Sequence, residues 1–517
     1  MKEKLQRLPL GLSDFAKLRE NGDLYVDKTG HLLRLLERGD YLFLARPRRF
    51  GKSLLCSTMR YLYEGRRELF SGLAIESEWD WSKTNPVVFL SMAEMGSSSV
   101  EEFQEDVRIT LEKIADRNGI VLTEGSIGNI LLSLLEALSL KSGRKVVVII
   151  DEYEKPVHDH IQDLDMAEKM RAVLARYYGA LKGCDAFLEK VFITGIGRMV
   201  KTSVFSDLNQ MTDYTLDEVC AEICGYTEEE LAANFRGYIE CLAEAKGQNL
   251  LSASALLKER YNGYWWGKGE KVYNPWAILN CLSRREYGNF WWGYGTPGVL
   301  MNLATQLPEP EGDLEGIEVG ELALLVDLSR AEAVSLLWQS GYLTIKENLE
   351  GSYVLGFPNG EVRESWYRML LGHFSGVSQV TGDTAAAVML SAMERGEEDR
   401  FEKGLRTLFA AIPGELQRKE ELYFHSVFYA ALQAVGGAII AESRTDKGRV
   451  DAVVRTRKRV YVIEFKLGKA TEAISQIRKN RYYEPYECEG KELILVGAGG
   501  FRERAVEVVW EELRIGN

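Results

Sequence analysis

Residues 449–466, RVDAVVRTRKRVYVIEFK, carry more information than any other stretch of the chain. Val450–Arg455 and Val460–Lys466 are alternating runs separated by Thr456-Arg457-Lys458-Arg459, the pattern of a β-hairpin. Such a loop pairs Arg455 with Val460 and sets Asp451 directly opposite Glu464. Side chains alternate between the faces of a strand, so Asp451, Glu464 and Lys466 share one face at one end of the hairpin. Two carboxylates that close repel unless a cation neutralises them. Mg²⁺ (or Mn²⁺) suits hard oxygen ligands, and a lysine beside it can hold or polarise a water that attacks phosphorus. A surface hairpin with a cross-strand acid–base pair would show the same three residues.

Flanking features favour the site over the surface pair. Glu464-Phe465-Lys466 ends a strand whose Val460, Val462 and Ile463 are strongly apolar, where charges need a purpose. Glu421 and His425, four apart on an expected helix, share a face that could reach the same point. Gln476 and Tyr483 are two helical turns apart downstream. A helix with Glu421, a strand with Asp451, a strand with Glu464 and Lys466, and a helix with Gln476 together resemble the PD-(D/E)XK nuclease fold. The Pro-Asp of that name is missing, and the aspartate sits in Gly448-Arg449-Val450-Asp451.

A second decisive stretch lies near the amino terminus. Tyr41–Ala45 reads as a buried strand, followed by Arg46-Pro47-Arg48-Arg49-Phe50-Gly51-Lys52-Ser53 and a helical run from Leu54. Strand, loop, Gly-Lys-Ser and helix is the order a phosphate-binding loop needs. Backbone N–H groups hold phosphates, lysine reaches the β/γ oxygens and the serine hydroxyl binds Mg²⁺. Arg49, Gly51, Lys52 and Ser53 are therefore candidate nucleotide-binding residues, although Arg46 replaces the usual first glycine. An ordinary basic turn is the plainer reading of this loop by itself. Lys145–Glu152, KVVVIIDE, reads as a strand buried on both faces, with Asp151 placed for the Mg²⁺ shell and Glu152 for the attacking water. Another such strand ends in Thr194, where a γ-phosphate sensor would stand. Strands at Val87–Leu90, Val146–Ile150 and Val191–Thr194, separated by helical stretches, predict a parallel sheet with the loop at its carboxyl ends.

With Tyr25-Val26-Asp27-Lys28-Thr29, Cys224-Gly225-Tyr226-Thr227, Tyr261-Asn262-Gly263-Tyr264 and Tyr273-Asn274-Pro275 added in order, the chain resembles the bacterial AAA-ATPase-like family over nearly its whole length. That family often carries a PD-(D/E)XK nuclease domain at its carboxyl end. The resemblance makes the arginine in place of the first loop glycine a family trait, and Glu154 a departure from the expected aspartate. It implies ATP and Mg²⁺ as cofactors, a nucleic-acid partner with DNA ahead of RNA, and a neighbouring copy lending an arginine. Arg198, beyond the Thr194 strand, is a candidate for that arginine.

The 517 residues, 46% hydrophobic, predict two to four domains with sizeable cores. The expected fold is α/β: a P-loop, AAA-like parallel sheet over residues 1–225, a helical lid and winged-helix-like region over 226–375, a linker near Gly376–Asp383, and a nuclease-like α/β domain over 384–517 with its last core strand at Leu493–Val496. The middle region includes a hairpin of Tyr342–Ile345 with Tyr353–Phe357 and an acidic loop at Leu307–Leu314. Tyr264-Trp265-Trp266 and Phe290-Trp291-Trp292 read as an aromatic core before they read as a base-stacking platform. No apolar run reaches membrane-spanning length, the first residues lack a signal-peptide core, and seven scattered cysteines suit a reducing compartment, so a cytoplasmic protein is expected. DEVCAEIC reads as a helix and His158-Asp159-His160 as a solvated loop, not as metal sites.

A net charge of −13 argues against broad nucleic-acid affinity. Basic residues nevertheless gather at Arg455, Arg457, Lys458 and Arg459 and again at Lys466, Lys469, Arg478, Lys479 and Arg481. Two functions fit: a hydrolase in which an ATPase controls a nuclease, or a nucleotide-switched binding module with a silent nuclease fold.

Overall fold

The computed structural model describes residues 5–160, 163–197, 210–291, 314–320, 330–412, 421–437, 439–445, 448–503 and 505–513. Arg198, Trp292 and most of Leu307–Leu314 lie outside them. The chain forms two compact units, one of Met1–Val299 with Leu314–Asn359 and one containing Gly360–Asn517.

The first unit is built on a five-stranded parallel sheet of order β2-β3-β4-β1-β5. Its strands are β1 (Tyr41–Ala45), β2 (Val87–Ser91), β3 (Val146–Asp151), β4 (Leu188–Gly195) and β5 (Thr212–Asp213). Every residue of β1 and β3 is buried, as their unbroken apolar runs require of central strands covered on both faces. The helices Val100–Arg117, Ile127–Ser142 and Leu164–Lys182 contribute Phe103, Leu134 and Leu174 to the core on this sheet. Because β1 and β3 flank β4, the loop after Ala45 and the carboxylate at Asp151 open at the same edge.

A second core of the same unit gathers the helices Glu228–Lys246, Leu250–Tyr261 and Pro275–Arg284 around Leu24 and Val26. Asn274 caps the last of these through Ala277 N–H, with Pro275 at the first turn. The helix Arg330–Ser340 leads into an antiparallel sheet of β6 (Ile317–Gly320), β8 (Ser352–Gly356) and β7 (Thr344–Leu349). Cys220 lies in a short 3₁₀ turn, Glu218–Cys220, instead of the helix expected through Cys224. His158 ends a short helix, and Asp159 is tied to Ser97 and Lys155, so this stretch is more ordered than a solvated loop.

The second unit starts with the helices Gly360–Ser375, Gln379–Arg395 and Glu398–Ala410. The stretch read as a linker is mostly helix: Gly376 turns the chain and Ser378 caps the next helix through Thr381 N–H. After the helix Glu421–Ala434 comes a five-stranded sheet of order β13-β12-β11-β10-β9. Its strands are β9 (Ile439–Thr445), β10 (Gly448–Arg455), β11 (Arg459–Phe465), β12 (Glu492–Gly499) and β13 (Glu507–Leu513). Only β11 and β12 pair in parallel, joined through the helix Ala470–Asn480. The sheet thus extends one edge strand, β13, beyond the expected last core strand. Cys56, Cys184, Cys220, Cys224, Cys241, Cys281 and Cys488 are free thiols. Among the described residues no helix is long and apolar enough to cross a membrane.

Candidate active sites

In the second unit β10 and β11 pair with Arg455 opposite Val460 and Ala452 opposite Ile463, and Thr456 N–H closes the turn onto Arg459 O at 2.8 Å. One residue beyond that register, Asp451 and Glu464 interlock. Asp451 N–H donates to Glu464 Oε2 at 3.4 Å, and Phe465 N–H donates to Asp451 Oδ2 at 2.8 Å. Lys466 Nζ donates to Glu421 Oε2 at 2.9 Å and to Glu464 Oε1 at 3.5 Å. Leu467 N–H donates to Glu421 Oε1 at 3.3 Å, and Gln476 Nε2 donates to Glu464 Oε1. All five residues read from the sequence as this centre therefore meet at one point.

Glu464 is 2% exposed, and burial followed by the neighbouring Asp451 pushes it well above the usual carboxylate range, against the pull of Lys466. Burial alone would lower Lys466, but Glu421, Glu464 and Asp451 outweigh it and hold the ammonium charged. Among the described residues no group of three or more His, Cys, Asp or Glu side chains is placed to hold a metal ion. A two-carboxylate centre still fits Mg²⁺, which keeps several of its waters, and the repulsion from Asp451 that adds to the effect of burial on Glu464 is what a divalent cation would relieve.

Two residues that the sequence pattern missed set this geometry. Gly497 and Gly499 of β12 lie under the first turn of the helix Ala470–Asn480, where a Cβ would run into Ala470 backbone atoms. That close approach carries Gln476 to Glu464. The signal was present in the sequence as Val496-Gly497-Ala498-Gly499-Gly500. His425, by contrast, is buried among aromatics, its ring 6.2 Å from that of Phe465 and 6.4 Å from that of Tyr429. Tyr483 does not share a helix with Gln476, because the helix stops at Asn480 and Arg481 turns left-handed at φ 50°.

Four arginines of the basic cluster are ion-paired. Arg455 pairs with Glu489 at 2.9 Å, Arg459 with Glu492 at 2.6 Å, Arg478 with Glu511 at 2.7 Å and Arg481 with Glu484 at 3.0 Å.

In the first unit the loop after β1 bends at Arg49 (φ 68°) and Gly51 (φ 93°) and enters the helix Lys52–Tyr63. The left-handed turns fall there and not at Arg46, so glycine is not needed at the first position. Lys52 is buried, and its Nζ donates to Arg46 O at 2.9 Å and Pro47 O at 3.0 Å. Ser53 and Lys52 face Asp151, whose Oδ1 is buried without a hydrogen-bond partner among the described residues. Burial pushes Asp151 above the usual carboxylate range, opposed by Ser53 and then Lys52. Glu152 follows in a left-handed conformation, φ 54°, half-exposed beside them. Thr194 is buried, and its hydroxyl donates to Leu44 O at 2.6 Å, clipping β4 to β1. Arg49 lies over the Trp276 ring, 4.5 Å from its centroid.

A parallel sheet carrying a Gly-Lys-Ser loop beside a buried Asp-Glu, and a mixed sheet carrying an Asp…Glu-x-Lys centre, define a nucleotide-type unit and a nuclease-type unit in one polypeptide. Residues 9–205 match the family described as "Predicted AAA-ATPase", and residues 419–510 match the PD-(D/E)XK nuclease superfamily. A relative from Azotobacter chroococcum mcd 1, named "Uncharacterized protein in vnfD 5'region", is 31% identical over 514 residues, covering 95% of this chain and 96% of its own length. The chain belongs to the predicted AAA-ATPase family and carries a PD-(D/E)XK nuclease domain at its carboxyl-terminal side.

Proposed function

We propose that this protein binds and hydrolyses ATP and cleaves nucleic-acid phosphodiesters in a metal-dependent reaction that the nucleotide controls. The observation that carries the reading is the convergence of Glu421, Asp451, Glu464, Lys466 and Gln476 on one point. Asp451 and Glu464 would hold Mg²⁺ or Mn²⁺, which when bound supplies Lewis-acid activation of the phosphate and of a water. Lys466, held by Glu421, orients that water, and Gln476 fixes Glu464. In the other unit Gly51, Lys52, Ser53 and Asp151 would hold the Mg-nucleotide, Glu152 would orient its water, and Thr194 would keep the β4 end in place. DNA is the first substrate to test, the protein is taken to act in the cytoplasm, and a second copy would lend an arginine, for which Arg198 is the candidate.

The neutralised arginines favour a second reading, a nucleotide-switched module whose nuclease fold docks without cutting. One assay separates the two: labelled single- and double-stranded DNA and RNA with Mg²⁺ or Mn²⁺, with and without ATP, using wild type, Lys466→Ala and Lys52→Ala. The nuclease reading expects cleavage that Lys466→Ala abolishes and that ATP alters in wild type but not in Lys52→Ala. Lys466→Ala cutting at the wild-type rate would sink the site assignment. Lys52→Ala behaving as wild type with and without ATP would sink the coupling. Binding without cutting under every condition would favour the switch.

A further inference from the structure

Each residue from Arg46 to Phe50 is held from outside the loop by the segment between Tyr264 and Gly341. The Arg46 guanidinium lies 4.0 Å from the Trp266 ring centroid, and the Pro47 ring packs on Gly341, where a Cβ would come within 2.7 Å. Arg48 O accepts from Trp291 Nε1 at 3.2 Å, and Arg49 stacks on Trp276 at 4.5 Å. Phe50 meets Tyr264 edge-on at 4.7 Å. Arg46 is 0% exposed, and it also donates to Thr215 O at 2.9 Å and Cys220 O at 2.5 Å. Its charge is thus met by carbonyl dipoles and an aromatic face, and a phosphate could reach it only if the loop came apart. Arg49 holds a left-handed φ that a non-glycine residue adopts at a cost, and its stacking on Trp276 offsets that cost. The bland alternative, a basic loop whose arginines grip phosphate, would leave both guanidinium groups turned towards the Gly-Lys-Ser turn.

We propose that Arg46 and Arg49 are positioning residues, not phosphate ligands. Seated on Trp266 and Trp276, they hold the loop so that its N–H groups and Lys52 present one conformation to a nucleotide. The proposal rests on the reading that this loop binds a nucleoside triphosphate. It also gives the aromatic motifs after Tyr261 a role in that binding.

The test uses the full-length protein, titrated with MgATP and MgADP by calorimetry. Arg46→Ala would empty a buried site, so the exposed Arg49 and the half-exposed Trp276 carry the experiment, each variant being confirmed as folded by its melting curve. Arg49→Leu and Trp276→Leu are each expected to weaken both nucleotides by the same factor, about two- to fivefold. The double variant should lose little more than either single one, and Trp276→Tyr should retain most of the affinity. Arg49→Leu weakening MgATP much more than MgADP, with Trp276→Leu harmless, would make Arg49 a γ-phosphate ligand and overturn the proposal. Wild-type affinity in both single variants would overturn it too. Wild type binding neither nucleotide would show instead that the underlying reading is wrong, and the proposal falls with it.

Discussion

Glu154 closes on the end of β4. One carboxylate oxygen accepts from Ile196 N–H at 2.6 Å, and the other occupies the space a side chain at Gly195 would need. The glycine ending Phe192-Ile193-Thr194-Gly195 is explained by that contact. Glu154 is 2% exposed, and burial raises it to about 7. An acid whose pKa is higher folded than unfolded binds more protons in the native state between the two values. Its contribution to stability is therefore full below its ordinary value of 4.5, declines as pH rises to about 7 and is flat above. Melting curves of wild type and Glu154→Gln across that range should differ in slope, wild type losing up to about 3 kcal/mol that the variant keeps. Parallel pH profiles would show that Glu154 ionises normally. The sequence displays Glu154 as a departure from a motif. Its burial depends on Ile196 and Gly195, some forty positions away, and no local pattern announces that.

The hairpin was legible in the sequence because its determinants are local: alternation, a polar turn and a period of two fix which side chains share a face. Glu421 could also be read, as an acid in the first turn of a helix. Its neighbour on that face could not be placed, because helical spacing aligns Glu421 with His425 without saying that one reaches Lys466 and the other Phe465. The seat of the helix Ala470–Asn480 is likewise a property of two elements, since its depth is set by Gly497 and Gly499. Gly497→Ala should lift that helix, part Gln476 from Glu464, cost about 1–3 kcal/mol of stability as overpacking does, and slow cleavage at least tenfold. Urea melts and the cleavage rate measure the two effects. Unchanged cleavage in a destabilised variant would remove Gln476 from the site's machinery.

Across the whole molecule the formal charge misleads in both directions. The deficit of −13 hides a basic cluster, and the cluster in turn hides its own partners, which lie as far away in sequence as Glu489 and Glu511. With those pairs formed, Arg457, Lys458, Lys469 and Lys479 remain as exposed cations of the expected footprint. Non-specific DNA binding should then release few counterions, with a slope of log K against log salt no steeper than about −4. Filter binding across salt concentrations tests this, and a much steeper slope would mean that the ion pairs open for phosphate.

The grip on Arg46–Phe50 also bears on how the protein is made. The phosphate loop leaves the ribosome early, whereas Trp291 and Gly341, which hold Arg48 and Pro47, follow more than two hundred residues later. At about 5–20 residues per second that is a wait of roughly 10–60 s. If the cradle positions the loop as proposed, a nascent chain stalled before Trp276 should bind MgATP much more weakly than the full-length protein, so nucleotide binding would mature only after the cradle has been translated.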